Sequence, residues 1–111
     1  MRTALAPMQI PNISMNYGMI MLIRVAHGRN TMFYLKDGNK IFVTKTLKYF
    51  ADLLKPIDFL RIHQSHLVNS QYISAFIKTD GGYLLLKNGD NVPVSVRKKA
   101  EIIEVLDKMH R

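Results

Sequence analysis

A chain of 111 residues, 48% of them hydrophobic, is long enough for one core and too apolar for a disordered tail. Sixteen Lys and Arg against eight Asp and Glu leave a charge of +8, which points to an anionic partner: nucleic acid, an acidic membrane surface or an acidic protein. Cysteine is absent, which removes disulfides and thiolate metal sites and fits a reducing compartment.

The first 17 residues, rich in Met and Pro, are expected to form an edge strand or a strand with its lead-in. Residues 1–9 are set apart as lead-in to a single domain at 10–111. Pro7, Gln9, Pro11 and Asn12 break up any signal-peptide core. The run Met19 to Ile23 is far shorter than the roughly 20 apolar residues a bilayer span needs. The expectation is a cytoplasmic protein with no membrane partner.

GMIMLIRVA (18–26) then reads as a mostly buried strand. Asp37-Gly38 separates TMFYLK (31–36) from KIFVT (40–44), and Asp80-Gly81-Gly82 separates YISAFIKT (72–79) from YLLLK (83–87). Asn88-Gly89 separates YLLLK from NVPV (91–94). Gly-containing turns between β-favouring runs predict hairpins, so antiparallel sheet should dominate. Two segments read as helix. In TLKYFADLL (46–54), Leu47, Phe50, Ala51 and Leu54 recur at helical spacing and Pro56 stops the run. From Ser95, a plausible N-cap, to Lys108, an apolar stripe of Val96, Ala100, Ile103 and Leu106 is widened by Ile102, Val105 and Met109. The fold class is mainly β, with two short α-helices.

Arg97, Lys98 and Lys99 fall in the first turn of that second helix, where the macrodipole disfavours cations. Free amides and three cations together suit a phosphate.

FLRIHQSHLVNSQYI (59–73) places His63, Gln64, Ser65 and His66 between two apolar runs. As a metal site it offers two His, three residues apart, and no nearby carboxylate. As an acid–base pair the residue types suffice, but no spacing demands it. The structural alternative is a His that fills a polar gap at a strand end. The remaining reading is a tight exposed turn that presents Gln64 and Ser65. Gln can pair bidentately with adenine in a major groove, Ser can hold a phosphate, and Arg97 can fork onto guanine.

The same stretch, followed by GGYLLLKNG (81–89) and VPVSVRKK (92–99), resembles the LytTR DNA-binding domain family in order and spacing. YLKDGNKIFVTKTLK (34–48) resembles that family's central hairpin and following helix, so the likeness spans about residues 10–107. The resemblance implies three small antiparallel sheets with short helices. It also implies a bacterial transcription regulator that binds duplex DNA by loops entering successive major grooves, with no enzymatic activity, cofactor or metal. Carried over by position, Gln64 and Arg97 match base-contacting residues, and Asn30 or its neighbour Arg29 matches a third base-contacting loop (28–31). Ser65, Lys87, Lys98 and Lys99 match backbone-contacting positions, and Asn69 is expected to fix the turn into the next strand. Family members usually follow a receiver domain, so the chain reads as a stand-alone regulator or a fragment. A second copy on paired half-sites is a further expectation. The competing class is a small basic β module for RNA or an acidic protein, with Tyr34, Tyr72 and Tyr83 as base-stacking candidates.

Overall fold

The computed structural model describes residues 4–8, 17–79 and 81–109. A six-stranded sheet has the order β1-β4-β3-β2-β6-β5, and a three-stranded sheet has the order β7-β8-β9. The strands of the larger sheet are β1 (Ala4–Met8), β2 (Ile20–Val25), β3 (Thr31–Leu35), β4 (Lys40–Val43), β5 (Phe59–His63) and β6 (His66–Asn69). Those of the smaller are β7 (Ile73–Ile77), β8 (Tyr83–Leu86) and β9 (Asn91–Pro93). The two helices are α1 (Leu47–Leu54) and α2 (Lys99–Met109).

All three expected hairpins form, although Asp80 of the β7–β8 turn lies outside the described residues. β1 is an edge strand, as expected within the first 17 residues, but it runs parallel to β4. The rest of that segment lies outside the described residues. The expectation of three sheets is corrected to two. β2 pairs with β3 on one side and β6 on the other, which fuses two hairpins into one sheet.

Two apolar clusters flank β2. On one face Ile20, Ile23, Phe33 and Leu67 bury against Leu47, Phe50 and Leu54 of α1. On the other, Leu22, Ile62 and Val68 bury against Leu84, Leu86 and Val92 of the small sheet and Ile102 and Leu106 of α2. A strand covered on both faces carries no polar alternation, which is why Ile20–Ile23 are buried without a break.

α1 forms as its sequence demands. The Thr46 hydroxyl accepts from the Tyr49 N–H at 3.1 Å, satisfying one free amide of the first turn. Pro56 sits in the 3-10 turn Lys55–Ile57, and Asp58 at φ 71° turns the chain into β5. α2 departs from expectation. A 3-10 turn, Val96–Lys98, precedes it, so the α-helix starts at Lys99 and its first turn contains Glu101. Only Lys99 of the three cations lies in the α-helix itself. A 3-10 turn advances by about 120° per residue rather than 100°, which rotates residues 96–98 off the helical stripe. Ile102 and Leu106 are buried, whereas Val96 is 80% exposed and Ala100 is exposed.

Asn69 does fix the next turn. Its side-chain amide donates to Ile20 O at 3.0 Å and its Oδ1 accepts from the Gln71 N–H at 3.0 Å. One buried side chain thereby ties β6 to β2 and starts the 3-10 turn Ser70–Tyr72.

Candidate nucleic-acid interface

β5 and β6 are joined by a two-residue turn, Gln64-Ser65, with His63 paired to His66 at its base. The strand therefore runs one residue further than Ile62, and HQSH is a hairpin tip. Neither turn residue is Gly, so the turn is held from below. Arg61 folds forward and donates from Nε to His63 O at 3.0 Å and from Nη2 to Gln64 O at 2.8 Å. The Ser65 N–H donates to His63 Nδ1 at 3.1 Å, which leaves the proton of a neutral His63 ring on Nε2. With its backbone so held, Gln64 points an exposed side chain outward with no hydrogen-bond partner among the described residues.

The His63 and His66 rings meet edge-to-face, centroids 5.3 Å apart. Burial, then the neighbouring Arg24 cation, then His63 lower the His66 pKa to about 4. Its Nδ1 is buried without a hydrogen-bond partner. His66 is thus a neutral, inward ring at ordinary pH, which suits packing better than proton transfer. Among the described residues no group of three His, Asp or Glu gathers as a metal site would need.

Two backbone hydrogen bonds bring other segments to this tip. Val25 N–H donates to Ser65 O at 3.0 Å, so the end of β2 and the loop after it lie beside the turn. That loop closes by Ala26 N–H donating to Asn30 O at 2.8 Å, with Gly28 at φ +66°. Arg29 is exposed at its crest, and Asn30 is half-buried at its foot. On the other side Ser95 N–H donates to Ile62 O at 2.9 Å, anchoring the 3-10 turn that carries Arg97.

Gln64 and Arg97 consequently line one open cleft of about 530 Å³, together with Arg61, His63, Val96 and Lys98. Ser65 and the loop 26–30 are not among its lining residues; the Val25–Ser65 bond sets the start of that loop beside the tip. Lys98 reaches Glu101 at 3.5 Å, so part of its charge is already answered. Lys99 lies with Cε against Gly82, where a Cβ would meet it at 3.1 Å. The Ser95 hydroxyl makes no capping bond, and Lys98 N–H and Lys99 N–H are taken by Ser95 O and Val96 O. The expected pocket of free amides is therefore reduced, and the cations remain.

Lys87 is not brought to this cleft. β9 runs from Asn91 opposite Leu85 to Pro93 opposite Tyr83, so Ser95 leaves one end of the small sheet. Lys87 stands past the other end, its N–H donating to Tyr72 O at 2.8 Å. Asp37, Asp58 and Asp90 also lie in turns at ends remote from the tip.

Sequence reasoning missed Arg61 and Val96 as cleft residues. Two of the three candidate stacking tyrosines are engaged elsewhere: Tyr34 and Tyr72 pack against the core, and the Tyr72 hydroxyl donates to Gly18 O. Among the described residues no helix is long and apolar enough to cross a membrane.

Comparison with known proteins agrees with this geometry. No curated protein matches the chain. Among solved structures it is similar to the LytTr DNA-binding domain of a protein described as a methyl-accepting/DNA response regulator from Bacillus cereus. The two share 26% identity and superpose with a TM-score of 0.72 over 83% of this chain and 84% of that one. The model of the LytTr DNA-binding domain family matches residues 12–107. A cleft built from a hairpin tip and a basic turn, on a fold shared with such a domain and under a match of that length, has one owner: the chain belongs to the LytTr DNA-binding domain family.

Proposed function

We propose that this chain reads duplex DNA sequence-specifically, as part of a bacterial transcription regulator, with the tip 64–65, the turn 96–98 and the loop 27–30 entering the grooves. Gln64, Arg97 and Arg29 or Asn30 contact base edges; Ser65, Lys98 and Lys99 hold phosphates. The observation that carries the reading is that Gln64 and Arg97 line one cleft although 32 residues separate them in sequence. Two side chains able to make bidentate base contacts, one on a hairpin tip and one on a 3-10 turn anchored to that hairpin's strand, are what direct readout needs. The Arg61 fork and the Ile62–Ser95 bond hold the two backbones in that relation. Lys87, expected among the phosphate contacts, is left out of the interface because the small sheet carries it to the far end.

Nonspecific affinity comes from the basic surplus and falls steeply with salt. Two copies on half-sites one helical turn apart would present the clefts to one side of the duplex.

The test is selection of bound duplexes from a random pool, followed by competition against random duplex and single-stranded RNA. A shared motif among the recovered duplexes, bound well above random sequence, is the expected result. Equal retention of every sequence, or preference for the RNA, would overturn the reading.

A further inference from the structure

Val96 is the most exposed large apolar side chain among the described residues, at 80%. It stands between Ser95 and Arg97, inside the cleft, among Arg61, Arg97 and Lys98. The fold has no use for its side chain, because α2 buries Ile102 and Leu106 instead. Its backbone, however, is firmly held. Ser95 N–H donates to Ile62 O at 2.9 Å, Lys98 N–H donates to Ser95 O at 3.0 Å, and Lys99 N–H donates to Val96 O. A β-branched side chain on a fixed backbone has few rotamers, so the isopropyl group is presented as a stiff knob.

An apolar knob in a cationic cleft is poorly matched to phosphates. The one apolar group that base edges offer in a major groove is the thymine 5-methyl. Arg97, the adjacent residue, is suited to a guanine edge. We propose that Val96 reads the methyl group of a thymine next to the base pair that Arg97 contacts. This deepens the function proposed above and rests on it. Val96 then supplies discrimination that hydrogen bonds alone would not: thymine against uracil at one position.

The experiment uses the full chain and the duplex recovered by selection, with each thymine replaced in turn by deoxyuridine, which removes only the methyl. Wild-type protein should lose about fourfold in affinity at one thymine and little at the others, as expected for about one buried methyl. Val96→Ala should bind the thymine and deoxyuridine duplexes equally at that position, with an unchanged melting temperature because the side chain is exposed. Val96→Thr, which keeps the branched shape but adds a hydroxyl, should retain only part of the discrimination. Indifference of the wild type to every deoxyuridine overturns the proposal, and so does a Val96→Ala protein with the wild-type thymine preference. Both results leave sequence-specific binding intact. Failure to recover any preferred duplex removes Val96's role together with the function on which it rests.

Discussion

Two kinds of hairpin turn in this molecule solve the same problem in opposite ways. At 37–39, Asp37 accepts from the Asn39 N–H at 2.9 Å and from its side-chain amide at 3.0 Å. At 88–90, Asn88 accepts from the Asp90 N–H and donates to Asp90 Oδ2, both at 3.0 Å. Each turn has a Gly at φ +94° or +95° and uses its polar side chains on itself. The turn at Gln64-Ser65 has no Gly and takes its support from Arg61 and His63 below it. A turn that satisfies itself has little left to offer a partner. One that is propped from its own strands can leave its outermost side chain free.

The largest effect should come from removing the prop. Arg61→Ala deletes two hydrogen bonds from a charged donor, worth about 1.5–3 kcal/mol each when well formed and less at this partly exposed site. Chemical denaturation should show a loss of at least about 1 kcal/mol, and the mutant should lose preference for the selected duplex. Arg61→Lys keeps the charge without the fork and should rescue nonspecific affinity but not selectivity. If Arg61→Lys selects duplexes as well as wild type, the guanidinium is not what holds the tip.

Next come the free side chains themselves. Arg97→Ala and Gln64→Ala should each weaken binding to the selected duplex by about 1–3 kcal/mol, with much smaller losses on random duplex. Equal losses on both would make Arg97 a phosphate contact only. Competitive gel shifts at fixed salt read the difference.

How much of this contrast is legible in the sequence depends on the range of the forces. The Asp-Gly and Asn-Gly turns announce themselves because positive φ is a local demand. α1 does too, through Thr46, the spacing of Leu47, Phe50 and Leu54, and Pro56. The phase of α2 is not legible, since nothing local says that 96–98 winds as a 3-10 turn before the helix. Nor is the fusion of two hairpins along β2, where Leu22 pairs with Val68 across 45 intervening residues. The meeting of Gln64 with the turn 96–98 rests on the long-range Ser95–Ile62 backbone bond, which no local pattern encodes. Arg61 escaped notice because its direction, forward over the tip, is a tertiary fact.

A third effect concerns His66 at the tip's base. The folded-state pKa of His66 is depressed to about 4 from 6.5, so the unfolded chain binds the extra proton first. Its contribution to stability is full above pH 6.5, declines as pH falls and is lost towards pH 4. After allowance for partial exposure this amounts to about 1–2 kcal/mol. His66→Gln should flatten the dependence of melting temperature on pH across that window. An unchanged slope would mean that His66 titrates normally.

The smallest effects are predicted for two lysines, and their difference is what tests the contrast between the two kinds of turn. Lys98 borders the cleft and Lys87 borders the self-satisfied turn at 88–90. Lys98→Ala should weaken all duplexes alike and reduce the salt slope by about 1, or somewhat less because Glu101 already answers part of its charge. Lys87→Ala removes the same formal charge but should leave the salt slope within error, since β8 and its neighbours hold Lys87 at the opposite end of the small sheet. Net charge alone would make the two mutants indistinguishable. Measuring log K against log salt for both decides whether position or total charge governs binding, and parallel losses would return Lys87 to the interface.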